Sequence, residues 1–434
     1  MTSPVGGPSN CLQERRVAIL TAAPLSLNPR AFKEAESVAR AGFKVVVYGA
    51  CFDAGQLRKD EELAGRHSFS FESVLPLGED GLKPRLLSTW RRIRTRVGVN
   101  LSRHLRIENA WQLGPAVVEL AKQARKAQAD YYIAHLEQGA WAGARLHRSG
   151  SRVGIDVEDW YSEDLPSEAR KSRPLDLLRA LERELLTTGA HATCPSHAMS
   201  EALAREFGCP QPTVVYNAFP WSDRASIDGL FKDRRDRNLP SIHWFSQTLG
   251  HGRGLEDLIS ALPLLKHNVE IHLRGKPVSG FESWIKHRSP DACRGRIIVH
   301  GLVSNGELLS RIAEHDIGFA GESPLIRSRD LTVTNKILYY LLAGLAVVAS
   351  ETAGQREVAT QAPGGIFLYP SGDAPALAAR LNTLLGSADA LRQAKGTALA
   401  AAEETFCWER QEKGLLESIK RAMGSPTTQD HRQW

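Results

Sequence analysis

Val17-Ala-Ile-Leu-Thr21, then Ala22-Ala-Pro-Leu-Ser-Leu-Asn28, then Pro29-Arg-Ala-Phe-Lys-Glu-Ala-Glu-Ser-Val-Ala-Arg40, then Ala41-Gly42 and Phe43-Lys-Val-Val-Val-Tyr48 follow one another without a break. An unbroken apolar run such as Val17–Thr21 fits a strand covered on both faces. Pro29 stands where proline is favoured, at the first position of a helix, and Ala41-Gly42 is a helix stop. The second apolar run then reads as a strand parallel to the first. One β-α-β unit is therefore written into the first fifty residues.

The same alternation continues outward. Strands are expected at 67–75, 131–134, 152–156, 191–194 and 213–216, with helices at 107–128, 139–148, 175–187 and 197–207 between them. The pattern breaks at 218–239, a polar, turn-rich linker. It resumes with strands at 241–246, 270–274, 296–300, 316–320, 346–350 and 365–368 and helices at 254–265 and 334–343, and closes with helices at 374–385, 388–405 and 408–423. The fold class that follows is α/β, with mainly parallel sheets. The 434 residues suit two domains. The expected division is 1–220 as an N-terminal Rossmann-like acceptor domain and 221–410 as a C-terminal Rossmann-like donor domain. Residues 411–434 form a last helix, expected to pack back on the first domain, and a tail.

Composition excludes several classes. Apolar residues make up 42% and charged residues 24%, which is ordinary for a globular protein. Six cysteines, Cys11, Cys51, Cys194, Cys209, Cys293 and Cys407, are scattered without metal-ligand spacing and read as reduced packing thiols. The N-terminus has no secretory pattern, and no apolar stretch is long enough to span a bilayer, so a cytoplasmic location is expected. There is no H-E-x-x-H, no Walker loop and no G-x-S-x-G.

The net charge of +6 is concentrated. Between residues 83 and 106 lie Lys83, Arg85, Arg91, Arg92, Arg94, Arg96, Arg103 and Arg106, without a single Asp or Glu. Leu86, Leu87, Trp90, Ile93, Val97 and Leu101 recur among them at helical spacing. A basic amphipathic helix with a tryptophan suits an anionic membrane surface at the inner face. A solvated basic face and nucleic acid are the alternatives, and no nucleic-acid motif accompanies the helix.

In doubly wound sheets, ligands sit beyond the carboxyl ends of the strands. The strand-to-helix loops therefore carry the candidate residues. After the first strand of the second half comes Phe245-Ser-Gln-Thr-Leu-Gly-His-Gly-Arg-Gly-Leu255. Gly250, Gly252 and Gly254 let backbone amides approach a ligand, and Arg253 offers a fork of donors suited to a diphosphate. Further on, Asn335 and Lys336 open a helix, where a cation makes sense beside a bound anion. In the first half, His135 follows a strand and suits a sugar or phosphate contact. Asp156, Glu158, Asp159 and Tyr161 form an acidic, aromatic loop that could bind acceptor hydroxyls or act as a base. A packed histidine and an ordinary polar loop are the alternatives.

These residues resemble the retaining GT-B glycosyltransferases, the family of the bacterial mannosyltransferases and many capsule and exopolysaccharide enzymes. The likeness spans about residues 15–425. It rests on Ala39-Arg-Ala-Gly-Phe43, on His135 at the place of the family's cleft histidine, on Val215-Tyr-Asn217 before the hinge, on the loop Gln247–Gly254, and on Asn335-Lys336 through Ser350. The resemblance implies two Rossmann-like domains facing each other across a cleft. It implies a nucleotide-diphosphate sugar donor, an unknown glycan or lipid-linked acceptor, no metal and no other cofactor. Donor contacts then fall to Gln247, Gly252, Arg253, Gly254, Glu322, Asn335, Lys336 and Tyr339, and acceptor-side or catalytic contacts to His135, Asp156, Glu158 and Asp159. Four departures stand out. Gln247 takes the place of the family's first diphosphate-binding Arg, and Arg253 that of its Lys. Tyr339 takes the place of the Glu that reads the donor ribose, and the loop Ala22–Asn28 lacks the paired glycines. A metal-independent, retaining transfer in cell-envelope glycan synthesis is the function implied. A non-catalytic nucleotide-binding protein and a nucleotide-sugar epimerase of similar shape are the alternatives.

Overall fold

A computed structural model of the protein describes residues 15–75, 82–105, 107–170, 173–234, 236–289 and 291–424. The chain divides into two compact units. One gathers the described parts of Met1–Pro195, Ser200–Val215 and Glu412–Trp434, and the other holds Ser196–Met199 and Tyr216–Gln411.

The first unit is built on seven parallel strands: β1 Arg16–Leu20, β2 Lys44–Gly49, β3 Ser70–Ser73, β4 Tyr131–His135, β5 Val153–Asp156, β6 Ala192–Cys194 and β7 Thr213–Val214. They lie in the order β3-β2-β1-β4-β5-β6-β7. Val17 pairs with Val45 on one side and with Tyr131 on the other, and Val17, Ala18, Ile19 and Leu20 are fully buried. The helix Pro29–Arg40 starts where Asn28 accepts a hydrogen bond from the Ala31 amide, a side-chain N-cap. The helix Trp408–Gly424 returns to this unit: Ser37 donates to Glu412 Oε2 at 2.8 Å and Arg15 to the Met423 carbonyl at 2.9 Å.

One expected element divides. The helix read over 107–128 is a single turn at Ala110–Leu113 followed by a helix at Val117–Ala127. Gly114, at φ +140°, and Pro115 separate them, since a left-handed glycine and a proline without an amide both stop a helix.

The second unit is a six-stranded parallel sheet: β8 Ser241–Leu249, β9 Glu270–Pro277, β10 Ile297–His300, β11 Ile317–Ala320, β12 Ala346–Ser350 and β13 Ile366–Tyr369, in the order β10-β9-β8-β11-β12-β13. Ile242, Trp244, Ile271, Leu273, Phe319 and Val348 form an aliphatic and aromatic core with Leu258, Leu377 and Leu381. The intervening side chains of β8 and β9 turn to the opposite face, as the two-residue period of a strand requires.

In each sheet the strand order reverses once, between β1 and β4 and between β8 and β11. Such switch points are where doubly wound sheets bind ligands. Among the described residues no helix is long and apolar enough to cross a membrane. The five described cysteines are buried and form no disulfide.

Candidate active site

The carboxyl ends of β8, β11 and β12 hold most of the expected donor residues. β8 is irregular between Phe245 and Thr248, a bulge that re-aims the strand as it ends. Gln247 therefore belongs to the strand rather than to the loop after it, and is exposed. The loop that follows brings Gly254 against Gly321 beyond β11. A Cβ on Gly254 would lie 2.6 Å from Gly321 Cα, and Gly254 itself has φ +77°. Only glycine fits both conditions. Arg253 reaches back to Ser246 Oγ at 3.2 Å.

Glu322 follows Gly321 and is buried. Its amide donates to Ser350 Oγ at the end of β12, at 2.7 Å. Its carboxylate pairs with Lys336, also buried, on the first turn of the helix Asn335–Ala343. The ammonium also stands 5.3 Å from the centre of the Trp244 ring. Burial lowers the pKa of Lys336, Glu322 pulls it back up, and Arg253 and Arg329 add to the lowering. The charges of Arg253 and Arg329 are thus felt at the Lys336–Glu322 pair. Neither Arg253 nor Arg329 has an ion-pair partner among the described residues. An uncompensated positive niche of this kind is built for an anion.

Asn335 accepts from Asn217 Nδ2 at 3.0 Å. Tyr339 is engaged differently from a ribose-reading carboxylate. Its ring stacks on Phe219 with centroids 3.6 Å apart and meets Phe245 edge-on at 5.6 Å.

The first unit places its candidates around β4 and β5, and here the expected open edge is a buried network. His135 ends β4 and is fully buried. Its Nδ1 meets Glu158 Oε1 at 2.8 Å, and its Nε2 meets Glu34 of the helix Pro29–Arg40. Burial alone would lower the pKa of His135, but Glu34 and the hydrogen bonds to both carboxylates hold it well above the ordinary value. Asp156, the last residue of β5, accepts two hydrogen bonds from Arg30 Nε, at 2.9 and 2.8 Å, and Arg30 also donates to the Val215 carbonyl at 2.7 Å. Neither His135 nor Asp156 presents a free atom to a substrate. Their oppositely charged neighbours arrive on Pro29–Arg40, which turns Arg30 and Glu34 inward. Glu158 remains part-exposed and is held by Asn28 Nδ2 at 2.8 Å. Asp159 is half-buried on the same loop.

Glu34, His135 and Asp156 lie close enough to hold a metal ion. The site does not fit one, because Arg30 covers both Asp156 oxygens and both imidazole nitrogens already face carboxylates.

Directly after this locked histidine, Leu136 adopts φ +59° at the start of the helix Leu136–Arg148. A left-handed leucine costs on the order of 1–3 kcal/mol and persists only where its surroundings impose it. Beside it, Ala22, Ala23, Leu113, Leu136, Glu137, Gln138 and Tyr161 line a cavity of about 250 Å³. Glu137 is neutralised by Arg173. The buried Tyr161 hydroxyl lies near the Leu136 amide but closes no hydrogen bond with any described residue. Burial and the Glu158, Asp159 and Asp156 charges push its pKa well up, so it stays a neutral donor.

Arg329, Arg30 and Glu34 take part in these arrangements and were missed by the sequence reading. The signal for the last two was present: opposite charges four residues apart among the small and apolar residues Ala31, Ala35 and Val38 of one helix. Arg329 sits in the interval between Glu322 and Asn335, where no strand end marks it.

Of the basic run, the structure turns Arg91 and Arg94 inward. Both are buried and pair with Glu119, at 3.3 and 2.9 Å. Arg92 and Arg96 are exposed, and so are Trp90, Ile93 and Val97. The side chains of Lys83, Arg85 and Arg103 and all of Arg106 lie outside the described residues.

Two doubly wound units, each with candidate residues at its switch point, define the class; comparison with known proteins supplies the family. Residues 31–220 match the model described as Glycosyltransferase Family 4, and residues 241–387 that described as Glycosyl transferases group 1. No curated protein sequence matches the chain. The structure of Anabaena Alr3699/HepE in complex with UDP is similar with a TM-score of 0.66, at 18% identity, over 93% of this chain and 99% of that one. The same protein with UDP-glucose gives 0.66 at 18% identity, over 94% and 99%. Sucrose-phosphate synthase from Thermosynechococcus elongatus gives 0.65 at 13% identity, over 94% and 98%. The chain belongs to the GT-B glycosyltransferase superfamily and is a glycosyltransferase.

Proposed function

We propose that the protein moves a sugar from a nucleotide-diphosphate donor, held by the second unit, to a hydroxyl of an acceptor bound in the first. The observation that carries this reading is the excess of cations at the β8–β11 switch point. Lys336 is paired with Glu322, and the charges of Arg253 and Arg329, neither of which has an ion-pair partner among the described residues, also bear on Lys336. A leaving diphosphate develops charge as the glycosidic bond breaks, and preorganised cations stabilise it most where water is excluded. Charge supplied by side chains supports the metal-independent chemistry that the family resemblance implies.

Retention of anomeric configuration is part of the same proposal. In a front-face transfer the leaving phosphate accepts the acceptor's proton, and no protein nucleophile is needed. The locked state of His135 and Asp156 fits that scheme, since neither is available as a base. UDP is the first nucleotide to test, because the Anabaena structures hold UDP and UDP-glucose. On the acceptor side, the Tyr161 hydroxyl and Gln138 supply neutral hydrogen-bonding groups beside apolar walls, which suits a sugar ring.

The exposed Trp90, Ile93 and Val97 between Arg92 and Arg96 support docking on an anionic membrane, and with it a lipid-linked or membrane-proximal acceptor in envelope glycan synthesis. The test of the main reading is release of nucleoside diphosphate from a panel of nucleotide sugars. Turnover of one donor, lost in Arg253→Ala and Arg329→Ala, is the expected result. If no nucleotide binds the wild type at all, the donor assignment is wrong.

A further inference from the structure

The face of the second sheet opposite its aliphatic core carries imidazoles. His243 on β8 pairs in register with His272 on β9, His300 ends β10, and His315 precedes β11. Their rings form a continuous row. His300 stacks on His272 with centroids 5.2 Å apart, His272 meets His315 at 4.5 Å, and His315 stacks on His243 at 4.6 Å. Tyr340 closes the row edge-on at 6.1 Å. His243, His272 and His315 are fully buried.

The two ends of the row differ. At one end, His272 Nε2 meets Glu270 at 3.2 Å, its Nδ1 meets His300 Nε2 at 2.9 Å, and His300 Nδ1 faces Asp233 at 3.4 Å. At the other, His315 Nδ1 meets only the Ser241 hydroxyl, at 3.1 Å. His315 Nε2 and both nitrogens of His243 have no hydrogen-bond partner among the described residues.

Among the described residues no carboxylate is spare to balance a charge there. Asp233 is taken by Arg274, Asp316 by Arg234 and Lys395, Glu314 by Arg311, and Glu270 by His272. The remaining charged neighbours of His243 and His315 are the cations Arg274 and Arg234.

We propose that this row is an acid-sensitive lock on the second unit, closed only while His243 and His315 are neutral. Protonating either puts an unpaired charge between the sheet and the segment around Asp233–Arg234, and loosens both. The donor niche feels this through two elements. His243 lies on the strand that leads to Arg253, and its carbonyl accepts from Tyr340 Oη at 2.9 Å, on the helix that carries Lys336. That second effect rests on the donor reading above; the effect on stability does not.

The direction of the shifts agrees. Burial, then Arg274, holds His243 well below the ordinary imidazole value, and burial, then His243, does the same to His315. Groups lowered in the folded state give stability that is complete above their unfolded value, about 6.5, and is lost as pH falls below it. With two such groups, the folding constant drops by up to about 100-fold per pH unit in that window, roughly 10-fold for each histidine.

The experiment is chemical unfolding of the full chain between about pH 7.5 and 5, for the wild type, His243→Phe and His315→Phe. The expected result is a steep loss of stability in the wild type that each substitution reduces by about one proton's worth. An unchanged slope in both variants overturns the proposal. Should the variants not fold, ring-labelled histidine spectra of the wild type decide. Beyond His191, which burial lowers to about 4, two further imidazoles that stay neutral until unfolding support the lock, and fewer than two refute it. UDP binding is followed across the same range. Loss in acid that His243→Phe prevents extends the lock to the donor niche; absence of UDP binding at every pH strikes the donor reading and leaves the stability result standing.

Discussion

Arg329→Ala and Lys336→Met separate two roles that a cationic niche can mix. Lys336 is buried against the buried Glu322. Replacing it with methionine keeps much of the volume but strands the carboxylate, and removing one partner of a buried pair costs about 3–5 kcal/mol. Arg329 has no ion-pair partner to strand among the described residues and is only half-buried, so its truncation costs the fold within about 0.5 kcal/mol. Binding reverses the contrast. A hydrogen bond to a charged group contributes about 1.5–3 kcal/mol. At about 1.4 kcal/mol per tenfold in affinity, Arg329→Ala weakens UDP binding by roughly 10- to 150-fold. The assay is calorimetric titration with UDP, paired with melting curves without ligand. Arg329→Ala should melt like the wild type and bind poorly; Lys336→Met should melt early. If Arg329→Ala binds UDP within about twofold of the wild type, the claim that its charge is held for the diphosphate is refuted.

Other perturbations test the rest of the architecture. His135→Gln strands Glu34 and Glu158 and should cost about 3–5 kcal/mol. Because the folded pKa of His135 is raised, the stability it adds is complete below about pH 6.5 and fades as the pH climbs through that raised value. Melting curves toward alkaline pH should therefore bring wild type and variant together. Gly254→Ala forces a Cβ onto Gly321 and a strained φ, whereas Gly252, at φ +80°, has nothing within 4 Å. The former should both destabilise the second unit and impair UDP binding, and Gly252→Ala should show only a backbone cost of about 1 kcal/mol or slightly more. Arg92→Glu with Arg96→Glu should abolish sedimentation with anionic vesicles, and Trp90→Ala should weaken it. Equal loss of binding to neutral vesicles would argue against an electrostatic contact.

The strands were legible wherever burial on both faces made the sequence continuously apolar, as in Val17–Leu20 and Ala346–Ser350. Helices with a short or missing apolar stripe escaped. Ala54–Gly65 buries only Asp60 and Ala64, so periodicity has little to register there. Asn305–Ala313 does bury Leu309 and Ile312, but it is only nine residues long and also turns Arg311 inward to Asp228 and Glu314. The break at Gly114-Pro115 was in plain sight and was overridden by the apolar residues around it. Candidate site residues were legible as types at strand ends, because switch-point loops carry them in any doubly wound sheet. Their pairing was not. That Lys336 meets Glu322, 14 residues earlier, and that Arg30 meets Asp156, 126 residues later, depends on which strands become neighbours.

The contrast between the two switch points bears on the direction of transfer. Around β4 and β5 the charges of Arg30 and His135 face Glu34, Asp156 and Glu158, so neither cation of this network is left without a carboxylate. An anion brought there would meet carboxylates, and the neutral Tyr161 hydroxyl is the group left open in the cavity. Around β8 and β11 the balance is opposite, with Arg253 and Arg329 uncompensated beside the Lys336–Glu322 pair. In the proposed transfer, a diphosphate and a sugar hydroxyl therefore have different places to go. If Tyr339 stands where the resemblance places a ribose-reading carboxylate, the proposed donor is recognised still more through its phosphates, because an aromatic ring packed between Phe219 and Phe245 has no carboxylate to offer the ribose hydroxyls. Affinity for the donor should then be steeply salt-dependent, and should vary less between bases than between mono- and diphosphates.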